Sequence, residues 1–576
     1  MRSDSGARVL FNGVVENAAE IAARLKLAST VDAATLYGAA VDCWGIDADR
    51  HVVGRYCAIL AWPDRLRLSR SPWDSPPLHY AQFDGMAVAA SVPRVLIAAG
   101  LPEKLDRTKL ADNLFFNLLD RERGWFEGAR RVPHGCIVEL DRAGASTSDF
   151  YDLAGLPEVR FRHDHEYVDA ARELLQEAVA KALKQTDRPA IQLSGGLDSS
   201  ILADEVLRQM PPERSLPSYT FVPLADHSIG ARPGMYNSDR ELVEAFAAAH
   251  PRLVPSFLDN RDRPFDSRWT DMFLAMGGAP NYLVNFFPYQ AMWEEARHRG
   301  CDSMLTGEFG NQTISNNGRT SYVEFLLSGR WHELYLALAN RPDDQRTLLH
   351  RFVSLSLVRL LPLRARLALR RRRHSRAATF NEAMSMMPVA ATNDAWERAI
   401  ETGAIAQEEY FSSKRAALAF EYRWRDCDGG DLEQAFEQIY GMPQIDVYCY
   451  RPLVEFCAGV PTTQFMRGGV GRWLARRLAE GRLPEAQRTN PRSADHNVEW
   501  QLRLGRQREN LRETIARIAD QPDLADLFDT ERMTALIDAW DEGDPREPEV
   551  RLTREAGLMR AIATGRFIEF VRKSNR

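Results

Sequence analysis

The sequence predicts a mostly β N-terminal domain followed by a doubly wound α/β domain with a large helical C-terminal lobe. Up to about residue 155, short apolar runs such as 58–62 are separated by Pro, Gly and Asp turns, which is typical of a β sandwich with a few helices. Between residues 164 and 318, apolar runs alternate with stretches of helical period, the pattern of a parallel sheet. Beyond Gly318 the helical period continues almost to Arg576.

A chain of 576 residues is too long for one hydrophobic core, so at least two domains are expected. Tyr167, Leu175 and Val179 follow a helical period that starts near residue 164, which marks the first helix of the second domain. We therefore predict domains at residues 1–158 and 159–576.

The composition excludes several classes of protein. With 45% apolar residues, 27% charged residues and a formal net charge of −6, the chain is globular and has no overall basic field for nucleic acid. The seven cysteines are scattered without histidine partners, which argues against zinc and indicates reduced thiols. There is no apolar signal core and no apolar stretch long enough for a membrane span, so we expect a cytoplasmic protein.

One segment predicts the chemistry: Ser194-Gly195-Gly196-Leu197-Asp198-Ser199-Ser200. It follows an apolar run that ends at Leu193 and precedes a helical period, so the chain passes from a strand through a loop into a helix. The free N–H groups at the start of a helix bind phosphate oxygens, and two glycines allow the backbone to approach closely. We therefore predict that residues 193–200 bind phosphate, with Ser194, Ser199 and Ser200 adding hydroxyl donors.

Asp198 is the member of this loop that phosphate would repel, so a divalent metal, Mg²⁺, is implied between them. No lysine follows Gly196 at the position that a phosphoryl-transfer P-loop requires. A glycine-rich turn without function is the alternative interpretation.

The loop resembles the Ser-Gly-Gly-x-Asp-Ser loop of the ATP-pyrophosphatase family, and nearly the whole chain resembles the asparagine synthetase B superfamily. The resemblance implies that ATP is cleaved between its α and β phosphates, that AMP is transferred to a substrate oxygen, and that pyrophosphate leaves. It also implies a glutaminase-like (Ntn-type) α+β sandwich in residues 1–158 and an ATP-pyrophosphatase domain with a helical lobe in residues 159–576. ATP and Mg²⁺ are the expected cofactors.

Segments of the N-terminal part, such as 10–13, 61–64 and 77–80, resemble landmarks of the glutaminase-like domain. That glutaminase needs a cysteine at position 2, where this sequence has Arg2. Without a thiolate to attack the glutamine amide, we expect no release of ammonia and a structural or peptide-docking role for the domain.

The segment Leu305-Thr306-Gly307-Glu308-Phe309-Gly310-Asn311 resembles the family's Gly-Glu-Gly-x-Asp motif. The resemblance implies that Thr306 and Gly307 lie at ATP and that Glu308 is catalytic, orienting or deprotonating the attacking amine. Asn311 replaces the metal-binding Asp, and its amide oxygen can ligate Mg²⁺ without adding charge. The metal would then depend more on Asp198 and the phosphates.

The segments 451–457, 461–465, 474–477 and 483–485 resemble the C-terminal helical signature of the family, especially the branch that closes lasso peptides. This resemblance implies adenylation of an Asp or Glu carboxylate in a processed precursor peptide and attack by the peptide's own N-terminal amine, which closes a macrolactam. Arg492, with Arg488 in reserve, is expected to stabilise the developing charge. A leader-binding protein and a leader peptidase are the implied partners.

Three alternatives stay open at this point. The first is another ligase of the superfamily, either an asparagine synthetase that uses free ammonia or a β-lactam-type cyclase. The second is a tRNA-modifying ATP pyrophosphatase, for which we would expect a basic RNA face or zinc-binding cysteines. The third is an inactive scaffold, which Asn311 favours.

A basic cluster stands apart from these motifs. Seven arginines lie between Arg364 and Arg376, after the apolar run 355–363. A solvated helix end is the simpler interpretation, and a docking patch for an acidic peptide or an anionic surface is the functional one.

Overall fold

A computed structural model of the chain contains antiparallel sheets in its N-terminal part, a parallel sheet in its middle and helices in its C-terminal part. It describes residues 3–574 except for 4, 226, 228, 233, 281–282, 343, 374–378, 405–410, 412, 425–428 and 496. Arg2 and Arg376 therefore lie outside the described residues. In the part of the chain that is described, no helix is long and apolar enough to cross a membrane.

The N-terminal part has the two-sheet architecture expected of a β sandwich. A five-stranded antiparallel sheet has the order β1-β2-β3-β7-β8, and a three-stranded sheet has the order β5-β4-β6. The strands are β1 (Arg8–Val15), β2 (Gly54–Ala61), β3 (Leu66–Arg70), β4 (His79–Phe83), β5 (Met86–Ala90), β6 (Arg130–Arg131), β7 (Cys136–Asp141) and β8 (Gly144–Asp149). The helices are α1 (Ala18–Leu25), α2 (Ala33–Trp44), α3 (Ala48–His51), α4 (Pro93–Ala98) and α5 (Arg107–Phe115).

Helices α1 and α2 cover one face of strands β1 and β2 with an apolar core. At the edge of this core lies the fully buried carboxylate of Asp49. It accepts hydrogen bonds from Tyr37 Oη at 2.9 Å and Tyr56 Oη at 2.7 Å, and it also binds the Arg67 guanidinium and the Ser69 hydroxyl. A buried charge is tolerated here because each of its neighbours donates to it.

Helix α6 (Asp164–Leu183) opens the α/β part of the chain, and its predicted apolar positions are buried. Glu166 accepts the His163 N–H, a capping box that starts the helix at this point. Tyr167, Leu175 and Val179 pack in one core with the helix that follows the first parallel strand. The domain boundary at residue 158 stays a prediction.

The parallel sheet has the order β12-β10-β9-β13-β14, and every neighbouring pair in it is parallel. Its strands are β9 (Pro189–Gln192), β10 (Leu216–Phe221), β12 (Leu253–Leu258), β13 (Ser303–Thr306) and β14 (Gln444–Asp446). Its crossover helices are α7 (Leu197–Gln209), α8 (Arg240–Ala249), α9 (Trp269–Met276) and α10 (Leu283–His298). The doubly wound sheet is therefore confirmed, whereas β14 falls in a region for which the sequence predicts helix.

The remaining elements form the helical lobe and a few short strands. The helices are α11 (Ser321–Leu327), α12 (Trp331–Ala339), α13 (Leu348–Phe352), α14 (Leu363–Arg373), α15 (Phe380–Met384), α16 (Val389–Thr402), α17 (Lys414–Trp424), α18 (Gly429–Tyr440), α19 (Arg451–Gly459), α20 (Trp473–Leu478), α21 (Glu485–Arg488), α22 (Trp500–Gly505), α23 (Arg508–Ala519), α24 (Thr530–Asp538), α25 (Pro548–Val550) and α26 (Met559–Ser574). The short strands pair as β11 (Met235–Tyr236) with β17 (Ser493–Ala494) and β15 (Met466–Arg467) with β16 (Val470–Gly471).

The N-terminal part and the helical lobe share a core. Leu110 and Phe115 of α5 lie in one apolar cluster with Trp500 and Phe567 of the lobe. Polar contacts join the same two regions, including His79 Nε2 with Asp431 Oδ1 at 2.7 Å. The lobe is thus built against the N-terminal part as well as against the parallel sheet.

We predict that Asp49→Ala destabilises the protein by about 3–5 kcal/mol, because the Arg67 guanidinium would be left buried without its carboxylate. Urea unfolding followed by circular dichroism measures this loss. Asp47→Ala is the matched control: Asp47 forms an exposed ion pair with Arg50 at 2.9 Å, and such pairs contribute about 0–1 kcal/mol. Equal unfolding midpoints for the two variants would contradict the prediction.

Candidate active site

The candidate site lies at the carboxyl edge of the parallel sheet. From β9 the chain adds β10 and β12 on one side and then crosses to β13 on the other side. Doubly wound sheets bind ligands at such a reversal of strand order. The predicted phosphate loop leaves β9 at this point, and Thr306, Gly307 and Glu308 leave β13 beside it.

The hydroxyl groups of the loop hold it in shape. Ser199 Oγ lies 2.9 Å from Ser194 Oγ and accepts the Ser194 N–H at 3.1 Å. Ser194 Oγ also accepts the Gly196 N–H at 3.2 Å. Helix α7 begins directly after Gly196, which has no side chain to cap it. The first N–H groups of α7 are therefore available for an anion.

Three residues from distant segments brace this loop. The Gly195 N–H donates to Asp239 Oδ1 at 2.8 Å. Gln487 Nε2 donates to Gly195 O at 3.1 Å and to Ser200 Oγ at 2.6 Å. The Tyr448 hydroxyl donates to the Asp198 carbonyl oxygen at 2.9 Å. The loop is therefore fixed by the lobe as well as by its own strand and helix.

The sequence motifs assign no role to these three residues. Asp239 lies in Asn237-Ser238-Asp239-Arg240, which resembles a further segment of the asparagine synthetase B superfamily, so this resemblance was an available signal for it. Its contact also explains Gly195, since a Cβ there would lie 2.8 Å from Asp239 Oδ1 and 2.7 Å from Leu242 Cδ1. For Gln487 and Tyr448 no pattern in the sequence indicates a contact with the loop.

Asp198 is a largely buried carboxylate whose environment disfavours its charge. Burial raises its pKa, and the nearby Arg472 and Ser315 oppose that rise. Asp198 Oδ1 is buried without a hydrogen-bond partner. Room beside this oxygen depends on Gly310, since a Cβ at that position would overlap it. An oxygen in this condition fits a bound cation such as Mg²⁺.

Arg472 lies next to both predicted metal ligands. Its Nη1 is 4.0 Å from Asp198 Oδ2, and its Nη2 donates to Asn311 Oδ1 at 3.1 Å. The residue has a left-handed backbone, with φ of 56°, at the N-cap of α20. Such conformations in a non-glycine residue are uncommon and concentrate at functional sites. The sequence does not indicate this position of Arg472, because a single arginine outside a motif carries no signal.

The Asn311 oxygen is therefore engaged by a guanidinium, whereas the Asp198 oxygen is available. In the described residues, no group of three or more His, Cys, Asp or Glu side chains could hold a metal. Mg²⁺ at this site would thus be held by Asp198 and by phosphate oxygens of the substrate. The role of Asn311 as a ligand stays a prediction.

Glu308 is exposed at the start of a short 3₁₀ helix (Glu308–Gln312) and faces Tyr289. The Glu308 carboxylate is the largest cause of a raised pKa at the Tyr289 phenol, and the two side chains are hydrogen-bonded. Because the phenol stays protonated, it donates to the carboxylate. Tyr289 lies in α10 beside Pro288, and no sequence motif pointed to it.

Arg492 and Arg488 lie in different environments. The Arg492 side chain is exposed, and its charge together with that of Arg472 acts on the Tyr236 phenol. That phenol donates to Asp239 Oδ1 at 3.0 Å, which places Arg492 on the side of the phosphate loop. Arg488 instead forms an ion pair with Glu485 at 2.6 Å. Arg492 is thus the better placed of the two candidates.

The other predicted nucleotide contacts lie at the strand ends. Leu193 is buried. Its N–H donates to Tyr219 O at 3.0 Å, and its carbonyl oxygen accepts a hydrogen bond from Thr220 Oγ1 at 2.7 Å. Thr306 is fully buried, and Gly307 packs so closely on the Tyr448 ring that a Cβ would lie 2.9 Å from it. Gly307 can therefore contact a ligand only through its backbone, and a larger residue would not fit at this position.

A cavity of about 600 Å³ extends from these strand ends to the C-terminal helices. Ser194, Asp239 and Tyr289 line its sheet side. The opposite wall is formed by helical residues of the lobe, among them Arg551 and Glu555.

The far wall of the cavity is charged. Asp495 accepts hydrogen bonds from Arg232 Nη2 at 2.9 Å and from Arg551 Nη1 at 2.8 Å. Arg551 Nε also donates to Glu555 Oε2 at 2.6 Å, while burial raises the pKa of Glu555. The guanidinium groups of Arg232 and Arg551 thus face the Asp495 carboxylate. Arg551 also faces the Glu555 side chain, whose neutral form is favoured by burial. This wall can therefore accept an anionic or strongly polar group.

A family model described as asparagine synthase matches residues 170–560 of the chain. The chain belongs to the asparagine synthase family. A second model, the glutamine amidotransferase domain, matches residues 1–151. The family therefore covers both the parallel sheet that carries the candidate site and most of the helical lobe.

One curated protein to which this chain is similar is the carboxyethyl-arginine β-lactam synthase of Streptomyces clavuligerus. It is 29% identical over 162 residues, which cover 28% of this chain and 29% of that protein. The chain thus matches less than a third of the length of this relative.

Two solved structures are similar at low scores: the glutamine phosphoribosylpyrophosphate amidotransferase from B. subtilis complexed with ADP and GMP, and the allosteric regulatory enzyme of purine biosynthesis. Both are 11% identical with a TM-score of 0.20. They cover 57% and 55% of this chain, and 60% and 57% of their own chains.

We predict that Arg472→Ala weakens the binding of ATP with Mg²⁺ and moves its pH dependence upward. The Asp198 carboxylate must be ionised to bind the cation, so binding strengthens as pH rises through its pKa. Arg472 lowers that pKa, so its removal shifts the midpoint to higher pH. Calorimetric titrations at several pH values measure both effects.

Arg467→Ala is the control for this prediction. Arg467 lies in the neighbouring strand β15 and forms an exposed ion pair with Asp164. Its removal changes the charge of the region equally without touching Asp198. Identical titrations for Arg472→Ala and wild type would show that Arg472 does not act on the loop.

Proposed function

We propose that this chain is an ATP-dependent, AMP-forming amide ligase that closes a macrolactam ring in a processed peptide, as lasso peptide cyclases do. Membership in the asparagine synthase family supports the amide ligase. One observation carries the narrower proposal: the phosphate loop and Tyr289, the partner of Glu308, lie at one cavity, while no cysteine in the described residues of the amidotransferase part has the setting of a nucleophile that would supply ammonia.

The cysteines of the amidotransferase part support this view. Burial raises the pKa of Cys57 in strand β2 to about 11. Cys136 in strand β7 is buried and donates to Asp149 Oδ1 at 3.0 Å. Cys43 is exposed at the end of a helix. A nucleophilic cysteine needs an exposed thiol, which the N-terminus of a helix or a nearby cation activates. Among the described cysteines of this part, Cys57 and Cys136 are buried, and Cys43 lies at the C-terminal end of α2. The amine is then expected from the substrate itself.

The first half-reaction would join a substrate carboxylate to AMP. A carboxylate oxygen attacks the α phosphorus of ATP, the bond from that phosphorus to the oxygen bridging to the β phosphorus breaks, and pyrophosphate leaves with that oxygen. The N–H groups at the start of α7 and the hydroxyls of Ser194, Ser199 and Ser200 hold the leaving pyrophosphate. Mg²⁺ bound by Asp198 would neutralise part of its charge.

The second half-reaction would form the amide. The nitrogen of the substrate amine attacks the acyl carbon, the bond between that carbon and the AMP oxygen breaks, and the amine proton passes to Glu308. Tyr289 holds the Glu308 carboxylate by donating its phenolic hydrogen. Arg492, on the phosphate-loop side, would stabilise the negative charge that develops on the acyl oxygen.

The cavity supports a substrate larger than an amino acid. Its volume of about 600 Å³ falls within the range of about 300–1,000 Å³ that is common for ligand sites. The charged side chains of Arg232, Arg551 and Glu555 that line the cavity can bind polar groups of a peptide next to the reacting ends. Closing a ring requires this binding, because it offsets the entropy lost when both ends are held together. A leader-binding protein and a leader peptidase, in the cytoplasm, would supply the processed peptide.

A second candidate is a ligase that closes a β-lactam in a small molecule. The similarity to the carboxyethyl-arginine β-lactam synthase favours it, since that chemistry also uses an internal amine. A third candidate, an asparagine synthetase that uses free ammonia, fits the lack of an activated cysteine equally well. The same assay separates the three.

The purified chain is incubated with ATP, Mg²⁺ and a synthetic core peptide encoded next to its gene. We expect AMP, pyrophosphate and a peptide that has lost one water. Peptides with an acetylated N-terminus, or with the acidic ring residue changed to its amide, are the controls and should give no ring. Formation of asparagine from aspartate and ammonium, or of a β-lactam from carboxyethyl-arginine, would overturn the peptide proposal.

We predict that Glu308→Gln slows ring closure by about 10²–10⁴-fold, the usual contribution of a general base. ATP–pyrophosphate exchange should persist, because adenylation precedes the step in which Glu308 acts. Rapid-quench measurement of AMP and ring product separates the two steps.

Asp198→Asn is the contrasting variant, since it should abolish exchange and ring closure together. Tyr289→Phe removes only the phenolic hydrogen bond and should have a smaller effect on closure. A Glu308→Gln enzyme that loses exchange as completely as Asp198→Asn would assign Glu308 to nucleotide binding instead.

A further inference from the structure

The helical lobe carries an unusual concentration of exposed apolar side chains. Half of the large apolar side chains that are exposed in the described part of the chain lie between Leu327 and Leu369. They are Leu327, Trp331, Tyr335, Leu348, Leu349, Val353, Leu357, Leu360, Leu361 and Leu369. Exposed apolar side chains that are concentrated in this way are typical of an interaction site.

These side chains form stripes rather than scattered points. Trp331 and Tyr335 lie one turn apart on α12 and are 60% and 55% exposed, and Leu327, which ends the preceding helix α11, is 66% exposed. A second stripe, Leu349, Val353, Leu357 and Leu360, runs along one continuous helical segment from α13 through a π-helix (Val353–Leu357) to a 3₁₀ turn (Val358–Leu360).

The opposite face of that segment is already used by the core. Leu355, Ser356 and Arg359 are buried, and Leu355 packs with Leu334 and Leu338 of α12. Arg351 ties the two helices together by donating to the carbonyl oxygens of Leu338 and Ala339. The segment therefore has an exposed apolar face in addition to its buried one. A helix that lies between protein and water needs only the buried apolar face.

The chain next to the stripes is strongly basic. Residues 345–381 contain ten arginines and no aspartate, glutamate or lysine, in a protein whose formal net charge is −6. Arg364, Arg371 and Arg372 of α14 are exposed, and Leu361 and Leu369 are exposed among them. Arg371 is partly satisfied by Glu382 at 3.2 Å, whereas Arg364 and Arg372 extend from the exposed side of the helix.

We propose that this surface, formed by the exposed apolar side chains between Leu327 and Leu369 and by Arg364, Arg371 and Arg372, docks on the anionic headgroups of a lipid bilayer. Leu, Val, Trp and Tyr side chains on one helical face enter the headgroup region, and arginines beside them bind lipid phosphates while their stems cover apolar surface. Each basic residue near an anionic membrane surface strengthens binding, so the exposed Arg364, Arg371 and Arg372 add to one another.

The charge of the surface favours lipid over a second copy of the chain. In a two-fold contact, the exposed guanidinium groups of Arg364 and Arg372 from both copies would be brought together, which is repulsive. The apolar stripes, which include Trp331 and Tyr335, match the interfacial preference of those residues and exceed what an electrostatic docking site for an acidic protein requires.

The test is co-flotation of the full chain with vesicles. We expect binding to vesicles of phosphatidylcholine and phosphatidylglycerol in a two-to-one ratio, weak binding to phosphatidylcholine alone, and a loss of binding at ~0.5 M salt. Arg364→Glu with Arg372→Glu, and separately Leu349→Glu with Leu357→Glu, should each weaken binding at least about tenfold. All four residues are exposed, so thermal unfolding should match wild type.

The matched control is Leu10→Glu with Arg94→Glu, which changes one exposed apolar and one exposed basic side chain in the N-terminal part. It should bind vesicles like wild type. No flotation with either vesicle, or equal flotation of the patch variants and wild type, would overturn the proposal. So would capture by immobilised polyglutamate without vesicle binding, or a dimer in light scattering that the patch variants abolish.

Discussion

The hydrogen bond from the Gly195 amide to Asp239 is the contact on which the candidate site depends. A phosphate loop must keep its backbone N–H groups directed at the ligand, and a buried amide without a partner would turn away from that direction. Hydrogen bonds with Asp239, Gln487 and Tyr448 prevent such a rotation, because they engage the groups of the loop that do not face the ligand. These partners come from the sheet and from two parts of the helical lobe. The loop therefore reaches its binding shape only when the lobe is packed on the sheet.

The same packing sets the electrostatics of the site. Burial makes the charge of Asp198 costly, and Arg472 reduces that cost without occupying the free Oδ1. The guanidinium also binds the amide of Asn311, where the resembled motif has an acid. Compared with that motif, this corner has one negative charge fewer and a positive charge close by. A cation here relies on the phosphates it bridges, so metal and nucleotide should bind together rather than in turn.

The phosphate loop and most strands of the parallel sheet could be predicted from the sequence, because the signals for them are local. The strand, glycine pair and helix that surround Ser194 to Ser200 lie within a short window, and alternating apolar runs and helical periods predict β9, β10, β12 and β13. Strand β14 escaped because it has three residues and is followed at once by a 3₁₀ turn. Gln487, Arg472 and Tyr289 escaped for a different reason: each meets its partner through contacts far apart in sequence, so residue type and spacing carry no trace of them. Arg492 was placed by resemblance, and its position beside Tyr236 agrees with a role near the loop without deciding it.

The amidotransferase part has a physical reason to persist even where it releases no ammonia. Its helix α5 supplies Leu110 and Phe115 to the core that also contains Phe567 of α26. Asn113 of α5 donates to Thr564 of the same C-terminal helix at 3.0 Å. The residues just before, from Arg551 to Met559, form the far wall of the cavity. Removing the N-terminal part would expose that apolar core and release the helix that shapes the substrate side of the site. Its fold thus contributes to the geometry of the cavity, and this contribution does not depend on glutaminase chemistry.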